Sequence, residues 1–360
     1  MTGADAAPAR YRPETLRGFA GALATQAGLP RERAAVMAEI LVEADMMGRS
    51  THGIEQLDRY LDDLVADLMN KTGEHEPVAD NGAALTWDGH FLPGTWLVTQ
   101  ALAAARERIG AHPVVTVVVR DSHHVGFHAA YLRRATEHGL AIMLLDTNPR
   151  FGTVAPYGGR RAVFSPTPVS FGFPTAGDPI LVDITTSVTA EGKVRVARYA
   201  GKELAPGQIL DRDGNPSTRP DDLYNGGSML PLGGLMGHKG YGLSVVVDLL
   251  GALLTGGSAG GKRGGGFSNN LTLWAADPDA LGGRETMEEL QSEYFAMLKS
   301  SNRQPGVEEI LLPGEPELRT AADRRRDGLP LDAGTVSGLD QLAIRLGLTP
   351  LSSQALKENG

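Results

Sequence analysis

The chain has 360 residues, of which 41% are hydrophobic and 21% charged, an ordinary globular balance, and this length predicts about two domains. Acidic residues outnumber basic ones, 43 against 34, so the formal net charge is −9. Nucleic-acid binding is therefore not expected, because phosphate contacts need clustered positive charge. The absence of cysteine excludes disulfides, cysteine-ligated zinc, iron–sulfur clusters and a thiol nucleophile.

No targeting or membrane segment is predicted from the sequence. Residues 1–13 are polar and rich in alanine, and they lack the apolar core of a signal peptide. The longest apolar stretch, residues 243–254, contains Asp248 and is shorter than the ~20 apolar residues that a membrane span needs. We therefore expect a cytoplasmic protein without a membrane partner, and we expect residues 241–254 to form a buried helix.

The N-terminal part of the chain is predicted to be helical, because apolar residues recur there at helical spacing. Residues 72–81 are predicted to be a turn-rich crossover, so residues 1–76 are assigned to the first part of a helical domain. The three predicted helices are residues 14–26, residues 31–47, and a segment from Gly53 or Ile54 to Leu68.

The middle of the chain alternates between strand and helix patterns. Residues 113–120 are apolar and β-branched, which predicts a buried strand. A helix over 125–138 and a strand over 140–145 complete a predicted βαβ unit. Residues 77–284 are assigned to an α/β domain and 285–360 to the second part of the helical domain. Further predicted strands are 85–87, 169–173, 180–184 and 271–275, and further predicted helices are 94–109, 241–254, 284–299 and 338–346.

Two glycine-rich patterns that bind nucleotides in other proteins are incomplete here. Residues 256–263 (GGSAGGKR) lack the Ser or Thr that follows the lysine of a phosphate-binding loop, and they follow a predicted helix rather than a strand. Residues 256–266 are therefore predicted to be a mobile surface loop. No G-x-G-x-x-G follows a predicted strand, so an ordinary Rossmann fold is not expected.

Three of the nine histidines lie within residues 121–128, where the predicted strand ends and the next helix begins. Ligands bind at the carboxyl ends of strands in open α/β folds. The positive end of a helix favours a neutral imidazole, which exchanges protons near neutral pH. His124 is therefore a candidate general acid or base. Two alternatives stay open: His123, His124 and His128 bind a metal, since the last two are four residues apart, or the histidines only cap a helix.

A second candidate group begins at Thr51 and His52. Gln56 and Tyr60 follow His52 by four and eight residues, which places these side chains on one face of a predicted helix. A hydroxyl, an imidazole, an amide and a phenol on one face suit a small polar substrate. The alternative is that Thr51 caps the helix and Tyr60 packs in the core.

Lys239 lies among glycines at residues 237–242, at the start of the predicted buried helix. Backbone N–H groups at a helix start and a lysine ammonium together favour binding of an anion. The alternative is a solvent-exposed loop lysine without a ligand.

Several motifs, in the same order along nearly the whole chain, together resemble the type-2 malate/L-lactate dehydrogenase family. One such motif would be common by chance, whereas this many in one order are specific. They are residues 45–53, which end in Thr51-His52-Gly53; Ser122-His123-His124-Val125-Gly126; Pro156-Tyr157-Gly158-Gly159; residues 183–187 with Gly192-Lys193-Val194; residues 231–234 with Lys239-Gly240-Tyr241-Gly242; and Leu312-Pro313-Gly314-Glu315.

The resemblance implies an oxidoreductase that uses NAD or NADP without a Rossmann fold. Such an enzyme transfers a hydride between nicotinamide and a 2-oxo/2-hydroxy acid, a related carbonyl compound or a cyclic imino acid. The implied fold is mixed α/β with a largely antiparallel sheet, together with a helical domain formed by both chain ends. The family also implies a homodimer with its active site near the subunit contact.

The resemblance further implies roles for individual residues. His124 stands at the catalytic acid/base position of some members, and His52 stands at the proton-donor position assigned in others. We keep both and favour His124. The implied cofactor-binding residues are Thr147, Asp183, Ile184, Thr185 and Lys239, and no metal is implied.

The substrate side of the predicted site departs from the family pattern. Thr51 replaces a serine, Gln56 replaces an arginine suited to bind a carboxylate, and residues 165–168 (SPTP) replace Gly-Thr-Asn-Pro. Arg59 or Arg150 are candidates to supply the missing positive charge. We therefore expect that malate and lactate are not the preferred substrates. The predicted substrate-binding residues are Thr51, Gln56, Tyr60 and Arg150.

Two other functions stay open at the level of sequence. A metal-dependent hydrolase would use His123, His124 and His128, and its activity would be lost with a chelator. A catalytically degenerate homologue would bind the cofactor without turnover of any substrate.

Overall fold

The computed structural model describes residues 8–257 and 267–356. This part of the chain divides into two compact units. The first unit contains the described residues up to Gly73, the short segment Thr175–Ile180 and the described residues from Glu285 onward. The second unit contains Glu74–Pro174 and the described residues of Leu181–Arg284. Both ends of the chain therefore belong to one unit, and the middle of the chain forms the other.

The helices and strands follow one another along the described chain in three groups. The N-terminal group is β1 (Ala9–Tyr11), α1 (Pro13–Gln26), α2 (Arg31–Met46) and α3 (Leu57–Val65). The middle group is β2 (Glu76–Asp80), β3 (Ala84–Asp88), α4 (Gly94–Arg108), β4 (Val114–Ser122), α5 (His128–Glu137), β5 (Ala141–Thr147), β6 (Pro168–Phe173), β7 (Ile180–Thr185), α6 (Glu191–Tyr199), β8 (Ile209–Leu210), β9 (Pro216–Ser217), α7 (Pro220–Tyr224), β10 (Ser228–Met229), α8 (His238–Asp248), β11 (Asn269–Ala276) and α9 (Pro278–Leu281). The C-terminal group is α10 (Arg284–Lys299), α11 (Glu315–Asp327), β12 (Leu329–Leu331) and α12 (Ala333–Arg345).

Packed helices and a short strand pair hold the first unit together. Helix α1 begins at Pro13, whose fixed φ suits a first helical position, and it buries Leu16 and Leu23 as it packs against α2. Helix α11 packs against α2, and α12 packs against α3. Strand β1 pairs antiparallel with β12, with Tyr11 opposite Leu329. The N-terminal and C-terminal segments are therefore joined by backbone hydrogen bonds as well as by helix packing.

A seven-stranded sheet with the order β2-β3-β4-β11-β5-β6-β7 forms the core of the second unit. Strands β3 and β4 are parallel, whereas β11 is antiparallel to both of its neighbours, β4 and β5. The predicted strand, helix and strand of the βαβ unit are present as β4, α5 and β5, but β11 lies between the two strands. The mixed α/β class with a largely antiparallel sheet is confirmed.

Three neighbouring or parallel strands of this sheet, β3, β4 and β5, end on the same side of it. Ser122 at the end of β4 pairs with Asn269 at the start of β11, and Thr147 at the end of β5 is opposite Asn270. The parallel strand β3 ends beside β4, at Asp88. We call this the carboxyl edge, because β3, β4 and β5 all end there. The loops that follow these strands start from this edge, where ligands of α/β proteins commonly bind.

A second layer of the second unit is built from a small sheet and short helices. The small sheet has the strand order β10-β8-β9. Apolar side chains from β8, β10 and α6, among them Ile209, Met229 and Val194, form a buried cluster with Val154 and Phe164. Helix α8 packs its Val247 against side chains of β5 and β6 in the main sheet. Tyr241 and Val245 of α8 also pack against the buried cluster of the small sheet.

Two predicted helices have different bounds in the structure. Helix α5 begins at His128 rather than at residue 125, so residues 123–127 are extended or irregular. The third predicted helix is shorter than expected, because two 3₁₀ turns, Ser50–His52 and Ile54–Gln56, precede α3. The predicted crossover at residues 72–81 also contains strand β2, which forms the outer edge of the sheet.

The apolar helix over residues 241–254 is not buried as predicted. Helix α8 continues into a π-helical turn, Leu249–Leu253, and one side of this stretch remains exposed. The exposed apolar side chains are Leu243, Val246, Leu249, Leu250, Leu253 and Leu254. Within residues 8–257 and 267–356, no helix combines the length and apolar character required to cross a membrane. Most of the glycine-rich loop predicted over 256–266 lies outside the described residues.

Candidate active site

His124 lies at the carboxyl edge, between the end of β4 and the start of α5, and it is half-buried. Its ring stacks on Phe267, with centroids 4.4 Å apart and planes 22° apart. Phe267 is buried and also stacks on Phe151, at 6.1 Å between centroids. Stacking restricts the plane of the imidazole, so Phe267 orients His124. Phe267 is not predicted from the sequence as a site residue, because only the pairing of β11 with β4 brings it beside His124.

The other two histidines of this segment, His123 and His128, are buried in the second unit. His123 is fully buried, and its backbone N–H donates to the carbonyl oxygen of Leu92 at 3.0 Å. His128 is 2% exposed, and its Nδ1 lies 2.9 Å from Ser170 Oγ. Because α5 begins at His128, His124 lies before the helix, and the shared helical face that the metal hypothesis assumed is wrong. His124 also lies outside the first helical turn, where the helix dipole acts.

No alternative metal centre is present in the part of the chain that the structure describes. Among residues 8–257 and 267–356, no group of three or more His, Asp or Glu side chains has an arrangement that could hold a metal ion. The described geometry therefore favours the predicted oxidoreductase over the alternative of a metal-dependent hydrolase.

Gly94 brings the start of α4 into direct contact with the histidine segment. A Cβ atom at Gly94 would lie 2.3 Å from the carbonyl oxygen of His123 and 2.5 Å from that of His124. Any larger residue would push these backbones apart. The sequence marks Gly94 only as the glycine after Pro93, which suits a helix start and gives no sign of this contact.

Asp183, a predicted cofactor-binding residue, forms hydrogen bonds within the second unit. Its Oδ2 accepts from the backbone N–H of Ala129 at 3.0 Å, and its Oδ1 accepts from Ser170 Oγ at 3.0 Å. The carboxylate therefore neutralises the positive end of α5, where acidic groups are stabilising. Because Ser170 donates to Asp183, its oxygen accepts from Nδ1 of His128, which assigns the proton of that imidazole to Nδ1.

The two residues after Asp183 differ in exposure and bonding. Ile184 is exposed. The Thr185 hydroxyl lies 3.3 Å from the carbonyl oxygen of Ser187 and accepts from the Ser187 hydroxyl at 3.1 Å. Thr185 is therefore held in a turn at the end of β7, and Ile184 presents an apolar side chain at the surface.

Thr147 connects the main sheet to α8. Its hydroxyl donates to Asp248 Oδ1 at 2.6 Å, and both side chains are buried. Gly251, in the π-helical turn after α8, lies close enough that a Cβ atom there would be 3.5 Å from Thr147. The structure therefore places the Thr147 hydroxyl in a bond that fixes α8 on the sheet.

Lys239 lies in the first turn of α8, and its side chain is exposed. The turn before the helix is tight: Gly233 has φ +99°, and a Cβ atom at Gly240 would lie 2.3 Å from the carbonyl oxygen of Leu232. Only glycine tolerates that approach. The exposed ammonium beside the first N–H groups of an 11-residue helix is suited to an anion such as a phosphate.

Arg150 follows the end of β5 at the carboxyl edge and is half-buried. Its Cζ lies 5.2 Å from the centre of the Phe91 ring, which is a cation–π contact. Its backbone N–H donates to Asn148 Oδ1 at 3.1 Å. Because Phe151 stacks on Phe267, the loop after β5 contributes both a guanidinium and one ring of the stack that reaches His124.

The turn around His52 belongs to the first unit. Thr51 Oγ1 lies 3.2 Å from His52 Nδ1, and the Gln56 side-chain N–H donates to the Thr51 carbonyl oxygen at 2.6 Å. The predicted single helical face is wrong, because the 3₁₀ turns interrupt the helix between His52 and α3. Tyr60 is 1% exposed, in agreement with the core alternative.

Asp45, near the end of α2, stabilises this turn by a hydrogen bond. Its carboxylate is almost completely buried and accepts from the Ile54 N–H at 2.7 Å. A Cβ atom at Gly53 would lie 2.1 Å from the Asp45 carboxylate, so any larger residue would displace that carboxylate. The Arg324 guanidinium donates to the Asp45 carbonyl oxygen. Burial raises the pKa of Asp45 to about 7, against the opposing effects of the Ile54 N–H and Arg324.

Comparison with known proteins gives one consistent family. A model of the malate/L-lactate dehydrogenase family matches residues 11–340. The malate dehydrogenase of Pyrococcus horikoshii is 31% identical over 351 residues, which are 95% of this chain and 97% of the relative. Hydroxycarboxylate dehydrogenase B of Escherichia coli K12 is 29% identical over 355 residues, 96% of this chain and 97% of the relative.

A solved structure of another relative extends the comparison to a different substrate. The Δ1-piperideine-2-carboxylate reductase of Pseudomonas syringae superimposes with a TM-score of 0.82 at 27% identity, over 93% of this chain and 99% of that structure. The fold of both units is therefore that of these dehydrogenases and reductases.

Proposed function

This chain belongs to the malate/L-lactate dehydrogenase family, and from that premise we propose that it transfers a hydride between NAD or NADP and a small oxo or hydroxy compound. The proposed substrates are 2-oxo/2-hydroxy acids, related carbonyl compounds or cyclic imino acids. The observation that carries the proposal is the family match over residues 11–340, which includes residues of both units. The relatives described above are named as a malate dehydrogenase, a hydroxycarboxylate dehydrogenase and a Δ1-piperideine-2-carboxylate reductase.

The start of α8 fits the phosphates of a nicotinamide cofactor. Lys239 offers an exposed ammonium. Gly240 beside it has no side chain, because its Cα lies too close to the Leu232 carbonyl oxygen to allow a Cβ atom. Thr147 and Asp183–Thr185 would contribute to the same binding through the positions that they hold on β5 and β7. When bound, the cofactor supplies the hydride, and the protein supplies orientation and charge.

His124 is proposed to hold and donate the proton that balances this hydride. In the direction of reduction, the developing alkoxide or amine takes a proton from the imidazolium form of His124, which leaves the neutral imidazole. In oxidation, the neutral imidazole accepts the proton that the hydroxyl or amino group releases. The stack on Phe267 fixes the ring plane, while partial exposure allows the ring to regain its proton from solvent. His52, beside the Thr51 hydroxyl, is the alternative proton donor.

Arg150 is proposed to bind the substrate carboxylate. Gln56 occupies the position where relatives are expected to have an arginine, and its amide N–H already donates to Thr51. A neutral amide binds a carboxylate less strongly than a guanidinium does. We therefore propose that oxaloacetate and pyruvate are poorer substrates than a larger or less anionic oxo or imino compound, and that Gln56→Arg improves them.

A homodimer is proposed on the exposed apolar side of α8. Leu253 and Leu254 are 54% and 60% exposed, and they continue the apolar side begun by Leu243 and Val246. Monomers rarely expose contiguous apolar patches without a binding role. Leu253→Asp is expected to convert a dimer to a monomer in light scattering after size exclusion, whereas exposed Asp58→Asn on α3 should leave the dimer intact.

The proposed reaction is tested by following nicotinamide absorbance with each cofactor and a panel of oxo acids and cyclic imines. Turnover that Gln56→Arg shifts towards oxaloacetate supports the proposal, while efficient oxaloacetate reduction by the wild type, unimproved by the arginine, contradicts the substrate assignment. Cofactor binding without turnover across the panel would indicate a degenerate homologue. Activity that disappears with a chelator would indicate the metal-dependent alternative.

A further inference from the structure

A network of polar side chains links α5 to four strands of the main sheet. His128 Nδ1 lies 2.9 Å from Ser170 Oγ, which donates to Asp183. The other ring nitrogen, Nε2, lies 3.9 Å from Asp146 Oδ2, and this oxygen accepts from the Asn269 side-chain amide at 2.7 Å. Apart from Asp183, these side chains are at most 5% exposed. Buried polar groups are costly unless they are paired, so the five residues depend on one another, and we call them the His128 network.

One end of the His128 network holds the start of β11. Both carboxylate oxygens of Asp146 accept from Nδ2 of Asn269, at 3.0 and 2.7 Å. The pairing of β11 with β4 shifts register between Asn269 and Leu271, so the ladder between these two strands is irregular at this point. Phe267, whose ring stacks on His124, lies two residues before Asn269. The bond from Asn269 to Asp146 therefore restrains the segment that carries the stacking ring.

The other end of the His128 network holds the first turn of α5. His128 is the first residue of this helix, and Ser170 joins it to Asp183. The Asp183 carboxylate also accepts from a backbone N–H of the same turn, at 3.0 Å. His124 lies four residues before His128, so a shift of the first turn would move the backbone that carries the candidate acid or base.

We propose that Asp146 is a positioning residue for His124. Through Asn269 it fixes the stacking ring of Phe267, and beside His128 it completes the network that fixes the start of α5. A proton-transferring group must lie within hydrogen-bond reach of the reacting atom, and a displacement of about 1 Å costs up to ~10²-fold in rate. Such groups need supporting hydrogen bonds around them. This inference rests on the proposed function, which assigns proton transfer to His124.

The first test is a double-mutant cycle that separates positioning from stability. Asp146→Leu and Asn269→Leu each leave a buried partner unpaired, so each should lower the melting temperature by roughly 2–10 °C. The double variant replaces both partners with apolar groups of similar size and should recover most of that loss. Its kcat should nevertheless stay roughly 10- to 100-fold below wild type with KM unchanged, because Phe267 is no longer held. If kcat recovers together with the melting temperature, the bond is merely structural and the proposal is overturned.

The second test observes the His124 ring directly and requires no turnover. In protein labelled with ¹³C-histidine, the His124 signal is identified by its loss in His124→Gln, and Phe267→Leu gives its shift without the stacked ring. Asp146→Leu should move the signal towards the shift of Phe267→Leu. Asp146→Asn keeps an acceptor for the Asn269 amide and should retain the wild-type shift and most of kcat. A wild-type shift in Asp146→Leu, or an Asp146→Asn variant that behaves like Asp146→Leu, contradicts the proposal.

Thr136→Val is the matched control for both tests. Thr136 is a buried residue of α5 whose hydroxyl donates to the Arg133 carbonyl oxygen within the helix, at 2.9 Å, so it lies in the same unit but outside the network. This variant should keep the wild-type His124 shift and kcat. A change in the His124 shift as large as that of Asp146→Leu would show that any buried substitution near α5 has this effect, and would overturn the specific role of Asp146.

The outcomes separate this inference from the proposed function. If Asp146→Leu loses the stacked His124 signal but the wild type turns over no oxo or imino compound, the positioning of His124 stands and the proposed reaction fails. If the wild type reduces such compounds and Asp146→Leu keeps both the signal and kcat, the reaction stands and the inference fails.

Discussion

The two regions that carry the candidate histidines are held in different ways. In the first unit, the turn around His52 is closed by hydrogen bonds between residues close in sequence, from Ile54 to Asp45 and from Gln56 to Thr51. In the second unit, His124 is held by Phe267, far along the chain, and by the backbone contact at Gly94. A local turn keeps its geometry through a few hydrogen bonds, whereas the carboxyl edge depends on correct pairing of the whole sheet.

The largest expected effect compares the two histidines directly. His124→Ala should reduce kcat by the ~10²–10⁴-fold typical of lost acid–base catalysis, with cofactor affinity largely kept. His52→Ala should cause the smaller loss. Steady-state kinetics and cofactor titration of both variants measure this difference. If His52→Ala abolishes turnover while His124→Ala remains near wild type, the two roles are reversed.

The next effect concerns the carboxyl group beneath the His52 turn. Burial favours the protonated form of Asp45 in the folded state, with a pKa of about 7 against 3.8 in the unfolded chain. Unfolding therefore releases a proton between these pH values, and the stability contributed by Asp45 is complete at low pH and declines as the pH rises to about 7. Asp45→Asn removes this dependence, with an expected difference on the order of 2–4 kcal/mol between the two ends.

Chemical denaturation of wild type and Asp45→Asn between about pH 4 and pH 8 checks this prediction. Asp58→Asn, at an exposed position on α3, serves as the control and should follow the wild type. Parallel pH profiles for the wild type and Asp45→Asn would show that the buried carboxyl group is ionised in the folded protein throughout.

Two glycines test how each region tolerates added bulk. Gly94→Ala should displace the His124 segment, lower stability by about 1–3 kcal/mol and reduce kcat, because backbone atoms cannot move aside easily. Gly53→Ala should displace the Asp45 carboxylate in the other unit, with a comparable loss of stability. Gly18→Ala, in α1 with no atom within 4 Å of the added Cβ, is the control and should be neutral or slightly stabilising.

If Gly94→Ala leaves both the melting temperature and kcat at wild-type values, the start of α4 does not position His124. A loss of kcat in Gly53→Ala alone would instead assign the main proton-transfer role to the first unit.

The smallest expected effect concerns the exposed Lys239. Lys239→Ala should weaken NAD(P) binding about tenfold, the result expected for one charge-assisted hydrogen bond to an anion, and leave the fold intact. Lys202→Ala, an exposed lysine after α6, is the matched control. Calorimetric affinities equal to wild type for both variants would remove Lys239 from the cofactor site.

Local patterns were sufficient to predict much of the secondary structure and the order of the motifs. Helices α1 and α2 and strands β4 and β5 follow apolar periodicity and β-branched runs, which reflect burial of each segment by itself. The predicted start of α5 is wrong, because a side chain from another strand, and not apolar periodicity, sets where this helix begins. Helix α5 starts at His128, because Asp183 of a distant strand binds the N–H of Ala129 and so fixes the first turn.

The amino-acid sequence alone is sufficient to identify the family, to exclude thiol chemistry and to name the residue types available for proton transfer. The folded chain is needed to show that β11 lies between β4 and β5, that Phe267 stacks on His124, and that the Phe91 ring contacts Arg150. An apolar, β-branched sequence indicates a buried strand, but it does not specify which other strand will pair with it. Its pairing depends on the free energy of the complete sheet, so contacts between residues distant in sequence become defined only when that sheet has formed.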